Sequence, residues 1–209
     1  MNRALRYLTN EMKELHVDLR LGRTADAEMI LAENPDNVIV AAGAHNVIPP
    51  IEGSKMPHVF DAWKVLNHEE LPSGRVVVIG GGLVGLETAD TLATDGCEVT
   101  VLEMKDSIGS DLGSLRKIAV MMKMQQLQVK LLPNSKVCKF TEEGIVLEDG
   151  TQVPCECAVF AVGFLANDSH PLAEVCEKRK LPYYVIGDAK SARRALDAIA
   201  EGFEVARTL

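Results

Sequence analysis

The run Gly80-Gly81-Gly82-Leu83-Val84-Gly85 stands between the apolar stretch Arg75–Ile79 and an apolar-periodic one, Leu83 to Leu92. Eighteen residues after Gly85, at the end of a second apolar run (Val99–Leu102), comes the carboxylate of Glu103. Strand, glycine turn, helix, strand and terminal carboxylate, in that order, predict a site for a dinucleotide.

Each residue type has a physical task there. Gly80 permits a tight turn out of the strand, and Gly82 lacks the Cβ that would hold the backbone off a pyrophosphate. Gly85 lets the helix pack closely on the sheet. The amides from Gly81 through Leu83 and Val84 open the helix, where unpaired N–H groups and a partial positive charge attract phosphate. That dipole contributes about 0.3–1 kcal/mol per favourable charge. Glu103 can accept bonds from ribose hydroxyls, each charge-assisted bond contributing about 1.5–3 kcal/mol. It would also repel a 2′-phosphate, so NAD is expected over NADP. Lys105, two residues on, softens that preference.

The wider composition narrows the alternatives. The chain has 209 residues, 47% hydrophobic and 25% charged, with a net charge of −8. Such a balance suits a globular α/β protein and argues against nucleic acid or an anionic membrane surface as partner. Lys178-Arg179-Lys180 and Arg193-Arg194 read as solvated surface. No leader segment and no apolar run near ~20 residues is present, so a cytoplasmic location is expected. The five cysteines (Cys97, Cys138, Cys155, Cys157, Cys176) form no Cys-x-x-Cys pair, and the five histidines show no ligand spacing. No metal site is therefore expected. Cys155 and Cys157 alternate along an expected strand and should point to the same side.

Around the glycine unit, periodicity predicts an amphipathic helix over 3–15, a short strand Val17–Leu21, a strand Asn37–Ala42 and a short helix Asp61–Asn67. Residues 114–127 should be a helix with Leu115, Ile118, Ala119, Met122 and Leu127 inward. Short strands follow at Val129–Leu132, Lys136–Phe140, Gly144–Leu147, Thr151–Val153 and Cys157–Val162. A last strand, Tyr183–Ile186, leads to Gly187-Asp188-Ala189. The helix Arg194 to Arg207 carries Ala195, Ala198, Ile199, Gly202, Phe203 and Ala206 on the face expected inward. Alternating strands and helices imply a Rossmann-like α/β architecture, its parallel sheet covered on both faces.

Two apolar strands end on glycine, at Gly43 and at Gly163, which suggests two nucleotide-binding units. Together with Ala41-Ala42-Gly43-Ala44, the segment Val77 to Ala89, Val185-Ile186-Gly187-Asp188-Ala189 and Ala195 to Phe203, they give the chain a family resemblance. It resembles the C-terminal part of two-dinucleotide-domain flavoproteins. More narrowly, it is similar to the NADH:flavin oxidoreductase group of 2,4-dienoyl-CoA reductase, enoate reductase and NADH oxidase.

The resemblance implies a NAD-binding domain, residues 64–163, inserted into an incomplete FAD-binding domain formed by 1–63 and 164–209. It assigns the Asp188 carboxylate to the flavin's ribityl–phosphate portion, with the next helix dipole aimed at the flavin ring. A helix N-cap role for Asp188 is compatible with this. Gly163 would clear space for the cofactor. The intact protein would bind NAD(H) and FAD and pass a hydride from NADH to FAD, to reduce an enoate or similar acceptor. No side chain here is expected to be catalytic, the cofactors carrying the chemistry.

The chain also departs from the group. It has one glycine fingerprint where an FAD domain needs its own, and it lacks the flavin barrel and iron–sulfur cysteines of the larger relatives. Ala192 stands where relatives carry proline. An excised portion is therefore expected, whose partners are a nicotinamide dinucleotide, the missing FAD half-domain and the barrel. A free-standing NAD-binding module without turnover is the alternative. Against other disulfide reductases stand the missing Cys-x-x-Cys and the short segment after Asp188.

Overall fold

A computed structural model describes residues 2–209. Along the chain the elements are α1 (Asn2–Glu14), α2 (Ala27–Ala32), β1 (Val38–Val40), β2 (Ala44–Asn46), β3 (Val59–Asp61) and α3 (Ala62–Leu66). Then come β4 (Arg75–Ile79), α4 (Leu83–Thr94), β5 (Glu98–Leu102), α5 (Ser114–Gln126) and β6 (Lys130–Leu132). Next are β7 (Val137–Thr141), β8 (Gly144–Leu147), β9 (Gln152–Pro154), β10 (Cys157–Phe160) and β11 (Phe164–Ala166). The chain closes with α6 (His170–Arg179), β12 (Tyr183–Val185), a 3-10 turn (Gly187–Ala189) and α7 (Ala195–Ala206).

The chain forms two compact units. One takes in residues up to Val40 and Ser169–Tyr184. In it Asp26 caps α2 by accepting from the Met29 N–H at 2.9 Å, and α6 runs from Pro171 in its first turn to Lys180 in the left-handed conformation. A proline at the start and basic residues at the end are ordinary helix signals, and this helix is additional to the elements expected from periodicity. The expected strand Val17–Leu21 does not form. Among the described residues no strand pairs with it, and alternation without a partner leaves backbone groups to water.

The second unit comprises Ala41–Asp168 and Val185–Thr208. Its centre is a five-stranded sheet in the order β3-β10-β4-β5-β6, parallel throughout. Val76, Val77, Val78 and Ile79 are all buried, as expected of a strand covered on both faces. Side chains alternate between those faces. Val76, Val78, Val99, Val101 and Val159 meet Ala62 and Val65 of α3, Leu86, Ala89 and Leu92 of α4, and Met124 of α5. Val77, Ile79, Leu102, Ala158 and Phe160 face Val137, Phe140, Ile145 and Leu147. Each fully buried Val, Leu, Ile, Phe or Met among them contributes about 1.5–3 kcal/mol.

The second face is thus covered by the antiparallel sheet β7-β8-β9 rather than by helices. Phe140 meets Phe160 edge-on, with ring centroids 5.3 Å apart. Cys155 and Cys157 part company here: Cys155 joins the Phe140 cluster, while Cys157 packs against the helix side. The chain leaves the strand alternation between β9 and β10, so two-residue spacing no longer keeps the pair on one side.

Two expected helix faces are covered only in part. Leu115, Ile118 and Met122 of α5 are exposed, Leu115 at 83%, Met124 is the helix's buried residue, and Leu127 just past it packs against the core as expected. On α7, Ile199 and Phe203 are exposed at 62% and 66%, while Ala198 and Gly202 of the expected face are part-buried and Ala198 and Glu201 meet the Gly187 turn. Periodicity identifies a face but not the side that the fold covers.

Candidate dinucleotide site

The sheet order reverses at β4. From it the chain proceeds through α4 to β5 and β6 on one side, while β10 and β3 lie on the other. Such a switch point, at the carboxyl ends of the strands, is where open α/β sheets leave a crevice. Gly80 and Gly163 follow the two strands that flank it.

Gly80 leaves β4 with φ +110°, and a β-carbon there would stand 2.3 Å from the Ala161 carbonyl oxygen. Its N–H donates to the Leu102 carbonyl oxygen at 2.8 Å, keeping the turn in register with β5. A β-carbon on Gly85 would stand 1.8 Å from the Gly80 carbonyl oxygen, so helix α4 can approach the strand only over bare glycine. Gly82 is the N-cap of α4 in extended conformation and offers no side chain to the first turn. Leu83 and Val84 open the helix.

Glu103 ends β5 beside this turn. Its Oε2 accepts the Gly81 N–H at 2.8 Å and its Oε1 accepts the Lys105 N–H at 2.9 Å. The backbone is fixed as well: the Glu103 N–H donates to Leu132 O, and its own carbonyl accepts from Ser135 N–H. Each carboxylate oxygen keeps a second lone pair for an incoming hydroxyl. Lys105 binds Glu103 through its backbone amide and is exposed.

One residue at the turn carries no signal in the sequence. Asp111, in the connection from β5 to α5, accepts the Leu83 N–H on Oδ2 at 3.0 Å. The same oxygen would lie 3.2 Å from a β-carbon on Gly82. The connection folds onto the turn through the Gly109 N–H, which donates to Gly81 O at 2.7 Å, and through buried Ile108. Arg194 donates from Nη2 to the Asp111 carbonyl oxygen at 3.1 Å. Nothing local in the sequence marks an aspartate eight residues past Glu103 as a partner of the helix start.

The remaining expected positions are Gly163, Gly43, Gly187 and Asp188. Gly163 (φ +119°) and Gly43 (φ +74°) have open space where a β-carbon would go. They precede the paired strands β11 and β2, in which Phe164 faces Asn46 and Ala166 faces Ala44. The two glycines therefore sit at opposite ends of one antiparallel ribbon. Gly187 (φ +61°) would bring a β-carbon to 3.1 Å from Ala198 Cβ; its N–H donates to Glu201 Oε2 at 2.7 Å. Asp188 accepts the Arg193 N–H at 3.1 Å, which closes the loop before α7. It does not cap that helix: Arg194 holds the N-cap position, its N–H donating to Asp197 at 3.2 Å.

Among the described residues no group of three or more His, Cys, Asp or Glu could hold a metal ion, and no helix is long and apolar enough to cross a membrane. What the cluster presents is a glycine turn into a helix start whose Gly81 and Leu83 amides hold the Glu103 and Asp111 carboxylates.

Known proteins are similar to the chain over nearly all of its length. The chain is 57% identical over 215 residues to a bilirubin reductase of Mediterraneibacter gnavus, covering 100% of this chain and 33% of that protein. It is 35% identical to an NADH oxidase of Thermoanaerobacter brockii, covering 96% of this chain and 32% of that one. A solved 2-naphthoyl-CoA reductase superposes with a TM-score of 0.85 at 29% identity, over 96% of this chain and 31% of its own. The chain thus spans about a third of the length of the relatives it matches. With residues 6–183 matching the family description itself, it belongs to the pyridine nucleotide-disulphide oxidoreductases.

Proposed function

We propose that this chain is the NADH-binding portion of a longer flavin-dependent oxidoreductase. That protein would pass reducing equivalents from NADH through FAD to an enoate or similar acceptor. The functional division assigns 64–163 to NADH, and 1–63 with 164–209 to an FAD-binding domain completed elsewhere in the longer protein. Bilirubin, named for the relative at 57% identity, is the first acceptor to try, since its conjugated C=C bonds share the chemistry of an enoate.

The observation that carries this reading is Glu103, whose two oxygens are held by the Gly81 and Lys105 amides beside the bare start of α4. In the proposed complex the amides of Gly82, Leu83 and Val84 bind the pyrophosphate. Glu103 takes the adenosine ribose hydroxyls, and Gly81 keeps Glu103 in place. Gly163 and Gly43 leave room for the nicotinamide and flavin dinucleotides, and Gly187 shapes the turn that sets Asp188 toward the flavin side. NADH, when bound, supplies the two-electron reducing chemistry. The chain's own residues position it, and none of them acts as acid or base.

The test is calorimetric titration of the chain with NADH and NADPH, repeated on Glu103→Ala. The expected result is tighter NADH than NADPH, with the gap narrowed in the variant. Tighter NADPH in the natural sequence, or an unchanged gap in the variant, would overturn the role given to Glu103.

A further inference from the structure

The first-turn amide that a pyrophosphate would use already has an anion on it. Asp111 Oδ2 accepts the Leu83 N–H at 3.0 Å and lies over Gly82, 3.2 Å from where a β-carbon would project. A helix start attracts negative charge of any origin, and a carboxylate and a phosphate oxygen offer the amide the same acceptor.

The carboxylate is brought there by construction. Gly109 bonds to Gly81 O at 2.7 Å, and the Leu112 N–H donates back to Gly109 O at 3.2 Å. Ile108 buries its side chain among the sheet and helix residues, and Arg194 holds the Asp111 carbonyl. The backbone of the loop is therefore tied at several points. The Asp111 side chain is exposed, free to rotate into water at little cost, and its only hydrogen bond among those described is to Leu83.

We propose that Asp111 is an internal competitor for the pyrophosphate site: it caps α4 when no dinucleotide is bound and must leave the Leu83 amide for one to bind. The proposal rests on the dinucleotide reading and adds an affinity-setting residue to it. Two anions cannot share one N–H, and a displaced Asp111, still tied through its backbone, stays near the phosphates and repels them. Asp111 therefore weakens NADH binding while stabilising the ligand-free fold.

The test is to measure NADH affinity by calorimetry, and ligand-free thermal unfolding, for the full chain with its natural sequence, Asp111→Asn and Asp111→Ala. Both variants should bind NADH more tightly, on the order of two- to fivefold, the range expected for one charge at a helix start. Both should unfold at lower temperature without ligand, Asp111→Ala more so because it loses the acceptor as well. NADH binding by the natural chain that is equal or tighter than in the variants overturns the competition and leaves the dinucleotide site standing. No NADH binding by the natural chain or either variant, with all three folded by circular dichroism, overturns the dinucleotide site and this proposal together. A variant that fails to fold is replaced by Asp111→Ser, judged by the same two outcomes.

Discussion

Gly85 and Gly80 approach so closely that a β-carbon on Gly85 would stand 1.8 Å from the Gly80 carbonyl oxygen. The obstacle is backbone, which cannot rotate aside. Gly85→Ala should push α4 off the sheet and cost at least the roughly 1–3 kcal/mol of an overpacked core. Chemical denaturation would show it as a lower midpoint, and NADH affinity should fall with it. An unchanged midpoint would mean that helix and strand are not packed as described.

The edge-on pair Phe140–Phe160 joins the antiparallel sheet to the parallel one. Both rings are fully buried. Phe140→Ala should cost about 3–5 kcal/mol, and hydrogen exchange should show β7 and β8 losing protection more than β4 and β5. Equal loss across both sheets would contradict this division of the core.

Glu201 ties the Gly187 turn to α7. The Arg193 guanidinium beside it, and then the Gly187 amide, hold its carboxyl below the ordinary glutamate range. A carboxylate lowered on folding stabilises fully above its unfolded pKa, about 4.3, and the contribution is lost as pH falls through the lower folded value. The stability gap between the natural chain and Glu201→Gln should be largest near neutral pH and close in acid. A gap constant down to pH ~2 would contradict the pairing.

Thiol reactivity should follow burial. Burial pushes the Cys155 thiol up to about 11, whereas Cys138 is exposed. Because the thiolate is the reactive form, iodoacetamide near neutral pH should label Cys138 first and Cys155 only after unfolding. Early labelling of Cys155, read by peptide mass spectrometry, would contradict its place in the core.

The nucleotide unit was legible because its signals are local. Four consecutive buried positions in β4, the glycines after it and Glu103 all fall within thirty residues, and their spacing encodes a turn and a register. Elements that depend on distant partners were not legible. β2 and β11 pair across more than a hundred residues (Ala44 with Ala166), and neither is long or apolar enough to announce itself alone. The apolar stripes of α5 and α7 were read as inward because periodicity cannot say what lies opposite. Leu115, Ile199 and Phe203 are instead exposed. Asp111 is a loop residue whose importance comes only from where Gly109 and Ile108 carry it.

The central claim is that a dinucleotide binds at the start of α4, between Gly81 and Val84, with Glu103 on its ribose. Backbone amide NMR during an NADH titration tests it most directly. Saturable shifts should concentrate at Gly81, Gly82, Leu83, Val84 and the Glu103–Lys105 amides, with Asp111 moving as its carboxylate leaves. Shifts confined to other parts of the chain, or none at millimolar NADH (a Kd weaker than about −4 kcal/mol of binding), would contradict it.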